Sequence, residues 1–235
     1  MEIFISIDGV LRNTLQKFEY HYNDYYYDSE PNSKSIDIDK EETEVVTSEE
    51  EGFEYFIIPP IQNDNILNCF KFQNEKEYEY FRFIEFAIEI NGHAGLSEPN
   101  VISTLNKIIR ENPEHNFTIV GLDELGRTKP GTLFFLSKNA FVGDNIKFIT
   151  SEQISDAWKQ CDYWFTDNKS IVDLCPEGKN VIKYETIYNE HFTIDKQINK
   201  LNQIIEICTL KFLENNTTST LMELPTSVES SNQNQ

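Results

Sequence analysis

From about residue 99 onward the chain alternates helical and strand patterns four times in succession, and this alternation limits its fold more than any other feature. A helical pattern over residues 99–111 precedes an apolar run at 117–120; 130–139 precedes 146–150; 151–160 precedes 163–166; and a short helix near 170–174 precedes 181–184. Short apolar runs separated by helical segments bury both faces of a parallel sheet, because each crossover lays a helix on it. The opening run Ile3 to Ile7, ending in Asp8-Gly9, reads as one more buried strand feeding a tight turn. The expectation is an α/β three-layer sandwich around a five-stranded parallel sheet.

Between that first strand and the alternation lies an insertion over residues 12–97. Leu11, Leu15, Phe18, Tyr22 and Tyr25 recur at helical spacing, which predicts a helix over 13–27 with Asn13 as its cap. Residues 28–51 are rich in acid, serine and threonine and are expected to be a flexible loop. Phe53, Tyr55, Phe56, Ile57 and Ile58 precede Pro59-Pro60 and should pack back onto the domain, and a second helix is expected over 75–91. A long closing helix is expected over 193–215, then a disordered tail over 216–235. The core would thus be residues 1–11 and 98–215.

Forty acidic residues against twenty basic give a net charge of −20, which opposes contact with phosphate backbones and anionic lipid surfaces. Direct nucleic-acid and membrane binding are therefore not expected. No apolar stretch is long enough to span a bilayer, and the first strand begins too early to leave room for a signal segment, so a cytoplasmic location is expected. Cys69, Cys161, Cys175 and Cys208 lack metal-site spacing and read as core or partly buried thiols.

Ligands of such a sheet sit at the carboxyl ends of its strands. Those ends are Ser6 to Asp8, Gly121, Thr150-Ser151 and Thr166 to Asn168. The stretch Ile3-Phe4-Ile5-Ser6-Ile7-Asp8-Gly9-Val10-Leu11 resembles the first motif of the haloacid dehalogenase superfamily, an apolar strand followed by Asp-x-Asp-Gly-Val/Thr-Leu. The insertion after the first strand and Thr166-Asp167-Asn168 after the fourth are similar to that family too. The resemblance implies a Rossmann-like core with a cap insertion, and a first acid that attacks phosphorus while the second works as general acid and base. Here Ser6 stands where the nucleophile would be, and a serine offers neither charge nor metal affinity. Gly121 falls where the resemblance implies a phosphate-binding hydroxyl. Lys129 has the familiar Lys-Pro look, but the family lysine would open a later helix, where this chain has Ser151-Glu152. Asp8 and Asp167 are the candidate magnesium ligands, a pair too small to bind it strongly.

The leading expectation is therefore a catalytically degenerate protein of this fold, with no cofactor beyond weakly bound magnesium. It would act as a structural or interaction module, with the insertion contacting a protein partner or another copy of the chain. Its composition and the stretch from Phe86 to Gly95 also resemble proteins of this fold encoded by large tailed phages, which would imply a virion component of the neck or tail. Two alternatives stay open: a magnesium-dependent phosphohydrolase or nucleotidase with an unusual first motif, and an acidic protein that mimics nucleic acid. The tyrosines near residues 20–27 and His21 are expected to cover the sheet edge or a partner.

Overall fold

Strand β1 (Glu2–Ser6) runs through the middle of the sheet, and its apolar side chains on both faces explain why. Ile3 and Ile5 are fully buried and Phe4 nearly so. The computed structural model describes residues 1–26, 57, 60–62 and 66–207. The acidic stretch 28–51, most of the apolar patch at 52–61 and the tail beyond 207 lie outside the described residues. Residues 1–201 form one unit, and the chain from Asn202 on clusters separately, with residues 203–207 helical.

After β1 come β2 (Arg12–Asn13), α1 (Thr14–Tyr26), α2 (Ile66–Cys69), α3 (Glu75–Tyr80), a π-helical turn at Phe81–Glu85, α4 (Ala87–Gly92) and β3 (Gly95–Leu96). Then follow α5 (Val101–Glu111), β4 (Asn116–Leu122), α6 (Lys129–Lys138), β5 (Ile146–Ile149), α7 (Ile154–Trp158), β6 (Tyr163–Thr166), α8 (Lys169–Asp173), β7 (Asn180–Tyr184) and β8 (Gln197–Ile198). The main sheet has six strands in the order β5-β4-β1-β6-β7-β8, with every neighbouring pair parallel. The chain fills one side of β1 and then crosses to the other, so the carboxyl end of β1 is the topological switch point, where such sheets bind ligands. This is the expected α/β architecture with one strand more. The sixth is β8, which replaces the front of the expected closing helix: Gln197 and Ile198 pair with Lys183 and Tyr184, and helical backbone begins only at residue 203.

One layer of the core joins Phe4, Trp158, Trp164 and Ile171, with the rings of Trp158 and Trp164 at 5.0 Å and those of Phe4 and Trp164 edge-on at 5.4 Å. Aromatic pairs at such distances add about 0.5–1.5 kcal/mol beyond area burial. A second, aromatic cluster belongs to the insertion: Phe18, Tyr22, Phe70 and Phe81 are fully buried, and Tyr25, Tyr26 and Ile57 pack against them. These tyrosines therefore turn inward, leaving Tyr20 exposed on the same helix. Asn13 caps α1 as expected, its Oδ1 accepting from the Gln16 amide at 3.2 Å. The helix expected over 75–91 is broken instead, because the Phe86 amide bonds back to the Phe81 carbonyl at 3.0 Å, five residues away. That extra residue per turn re-aims the side chains that follow Tyr80.

His21 sits inside this aromatic layer, stacked on Phe86 at 4.8 Å, with Nε2 buried and without a hydrogen-bond partner. Burial, with the nearby Lys17 charge, lowers its pKa below the ordinary 6.5. Below pH 6.5 the unfolded chain takes up a proton that the folded chain refuses, so stability should fall as pH drops below that value. His21→Phe should flatten this part of the pH profile, measured by urea unfolding between neutral pH and the onset of carboxylate titration. An unchanged profile would show that His21 is not a source of the acid sensitivity.

Candidate functional site

The turn after β1 is built around a buried arginine. The Leu11 and Arg12 amides both return to the Ile7 carbonyl at 3.0 Å, and the Gly9 amide donates to the Arg12 carbonyl at 2.9 Å. This fold brings the Arg12 side chain, fully buried, back over Asp8: its Nε donates to Asp8 Oδ1 at 2.7 Å and to Thr14 Oγ1 at 3.2 Å. Its other end grips α4, with Nη1 donating to the Asn91 carbonyl and Nη2 to Asn91 Oδ1 at 3.1 Å. The Thr14 hydroxyl in turn donates to Asp8 Oδ1.

Asp8 faces a cleft of about 630 Å³ at the carboxyl ends of the strands. Burial alone would raise its pKa, but the Arg12 charge, the hydrogen bonds from Arg12 and Thr14, and the more distant Arg82 together hold it below the usual carboxylate value. At neutral pH Asp8 is therefore an anion already committed to two donors. A carboxyl in that state has no proton to give a leaving group.

Asp167 lies on the same cleft and is buried. Gly9, at φ +74°, lets the first turn close against it, since a Cβ at Gly9 would stand 1.9 Å from the Asp167 carboxyl carbon. Asp8 and Asp167, the two candidate ligands of the sequence, thus line one cleft. Asp8 is ion-paired to Arg12, so a cation would have to compete with the guanidinium for that carboxylate. As magnesium ligands the pair is a weak one.

Ser6 stands apart. Its hydroxyl accepts from Trp164 Nε1 at 3.1 Å and donates to Thr166 Oγ1 at 2.9 Å, so it is bonded into the buried side of the sheet and is not part of the cleft wall. Gly121 also misses the cleft: a Cβ there would meet the Phe148 ring at 3.3 Å and Ile7 at 3.6 Å. The hydroxyl that this part of the chain does bring to the cleft is Thr128, at the entry to α6, where its Oγ1 donates to the Leu122 carbonyl at 3.0 Å and its amide to Asp123 Oδ1 at 2.8 Å. Lys129 is exposed, 5.5 Å from the Phe148 ring, and together with Glu152 lies off the cleft wall.

Several cleft residues were not foreseen. Arg82 reaches it from the π-helical turn, and Lys183, almost fully buried, comes from β7, its Nζ donating to the Phe192 carbonyl at 2.6 Å. Residues 185–190 form a further wall, folded around the fully buried Asn189, which donates to the Tyr184 carbonyl at 2.8 Å and the Asp167 carbonyl at 3.3 Å. Tyr184 is neutral there, its hydroxyl pushed up to about 12 by burial and then by Glu98. A short aromatic helix and the loop at 185–190 look ordinary in sequence, and only their placement gives them a site.

Because Arg12 is buried and ion-paired, removing it strands Asp8 among groups arranged for a cation. Arg12→Met should lower unfolding free energy by about 3 kcal/mol or more, with Asp8→Asn in the Arg12→Met background recovering part of the loss. A change within experimental error in urea unfolding would remove the ion pair from its structural role.

No family model matches the sequence, and no curated protein matches it. Among solved structures the chain is similar to a provisionally named haloacid dehalogenase-like hydrolase from Bacteroides fragilis, with a TM-score of 0.51, 14% identity, and coverage of 86% of this chain and 98% of that one. At that identity the likeness concerns the fold alone. Set beside the strand order and the switch point at β1, it gives the chain a haloacid dehalogenase-like fold.

Proposed function

We propose that this chain is a non-hydrolytic member of its fold class, a binding or interaction module that keeps the cleft but not the chemistry. The observation that carries the reading is the Ser6 hydroxyl, which bonds to Trp164 and Thr166 and does not line the cleft where a nucleophile would have to face a phosphate. The ionised state of Asp8 supports it from the acid side of the reaction. A second reading, a magnesium-dependent phosphohydrolase, draws on Asp8 and Asp167 sharing the cleft; the ion pair of Asp8 weighs against it. Contact with another protein or another copy through the insertion belongs to the same proposal, and Tyr20, Ile84 and Ile88 supply exposed apolar surface there.

With magnesium, the purified chain should release no phosphate from p-nitrophenyl phosphate or nucleoside monophosphates above the uncatalysed background. Turnover that Asp8→Asn abolishes would overturn the proposal. Ser6→Asp should not create activity either; it should destabilise the fold by about 1–3 kcal/mol through the burial of a carboxyl group beside Trp164.

A further inference from the structure

We propose that the cleft binds a small organic carboxylate, with Arg82 holding the carboxylate group and the apolar side chains Ile66 and Ile187 taking the rest of the molecule. A volume of about 630 Å³ suits one small molecule. Its lining divides by chemistry: Ile66 and Ile187 offer apolar contact, and two cations, Arg82 and Lys183, stand among five carboxylates, Asp8, Glu98, Asp167, Glu185 and Glu190. Lys183 is committed to the Phe192 carbonyl.

Arg82 is different. In a chain of net charge −20 it has one hydrogen bond, from Nη1 to the Tyr78 hydroxyl, and no carboxylate of the described residues within ion-pair distance. The rings of Tyr78 and Phe83 stand 5.7 and 5.1 Å from the guanidinium carbon, so this half-buried group is held in place. The two acids that act on it from a distance are engaged elsewhere, Asp8 by Arg12 and Glu124 by the Ser151 amide at 2.7 Å. A positioned guanidinium with most of its donors open matches the fork of a carboxylate.

Charge decides between anions. Asp8, Glu98, Asp167, Glu185 and Glu190 line the cleft, so without a divalent cation a dianionic phosphate meets more repulsion than a monoanionic carboxylate does. This step rests on the non-hydrolytic, metal-free reading above.

Phenylacetate is the probe, titrated into the full-length protein by calorimetry beside the neutral 2-phenylethanol and phenyl phosphate, each with and without magnesium. Phenylacetate should bind about tenfold or more tighter than the alcohol, and Arg82→Gln should erase that difference. Should Arg82→Gln fail to fold by circular dichroism, the wild-type chain supplies the answer: phenylacetate should slow phenylglyoxal modification of Arg82, read by peptide mass. Equal binding of acid and alcohol, no binding of phenylacetate, no protection of Arg82, or tighter metal-free binding of phenyl phosphate would each overturn the inference. Hydrolysis of phenyl phosphate with magnesium would instead overturn the proposed function, while the Arg82 dependence of phenylacetate is read separately.

Discussion

The buried contact between Arg12 and Asp8 is the interaction on which the rest of the site depends. It lies at the junction where the chain leaves β1 for the insertion, and one guanidinium serves both sides of that junction: Asp8 and Thr14 at one end, Asn91 of α4 at the other. The ring of Phe135 on α6, 5.8 Å from the guanidinium carbon, closes the remaining side. A buried charge persists only when its donors are met, and here each named partner offers an oxygen. The cost of that burial is returned as geometry, since the turn after β1, the start of α1 and the end of α4 are fixed relative to one another.

That same interaction changes what Asp8 can do. A carboxylate held in the charged form beside a guanidinium is an electrostatic fixture, whereas proton transfer at neutral pH requires a group poised near its own pKa. Ser6 is tied down in a parallel way. Its hydroxyl completes a chain from Trp164 to Thr166 that ties β1 to β6. Both side chains are bonded into the scaffold, and Arg82 is a cation of the cleft wall that lacks a carboxylate of the described residues within ion-pair distance.

Much of the fold was legible in the sequence because burial on both faces of a parallel strand leaves continuous apolar runs. The strand at Tyr163–Thr166 and the cap at Asn13 follow directly from such local patterns. The break at Phe86 and the edge strand Gln197–Ile198 were not legible, since each is decided by a distant partner and not by its own residues. The site divides in the same way. Asp8 and Asp167 could be found from strand ends, but Gly121 was misplaced because β4 continues to Leu122, leaving Gly121 under the Phe148 ring. Arg82 gave no signal at all: an arginine between two phenylalanines reads as a snorkelling surface residue until a π-helical turn aims it at the cleft.

The account turns on whether any side chain of this cleft can accept a phosphoryl group. Intact-mass spectrometry of the full-length chain after incubation with acetyl phosphate and magnesium, quenched in acid, addresses that point without depending on the identity of a substrate. The structure described here predicts unmodified protein, because Ser6 is bonded into the sheet and Asp8 is held by Arg12 and Thr14. A phosphoryl adduct mapped to Ser6 or Asp8 would contradict it.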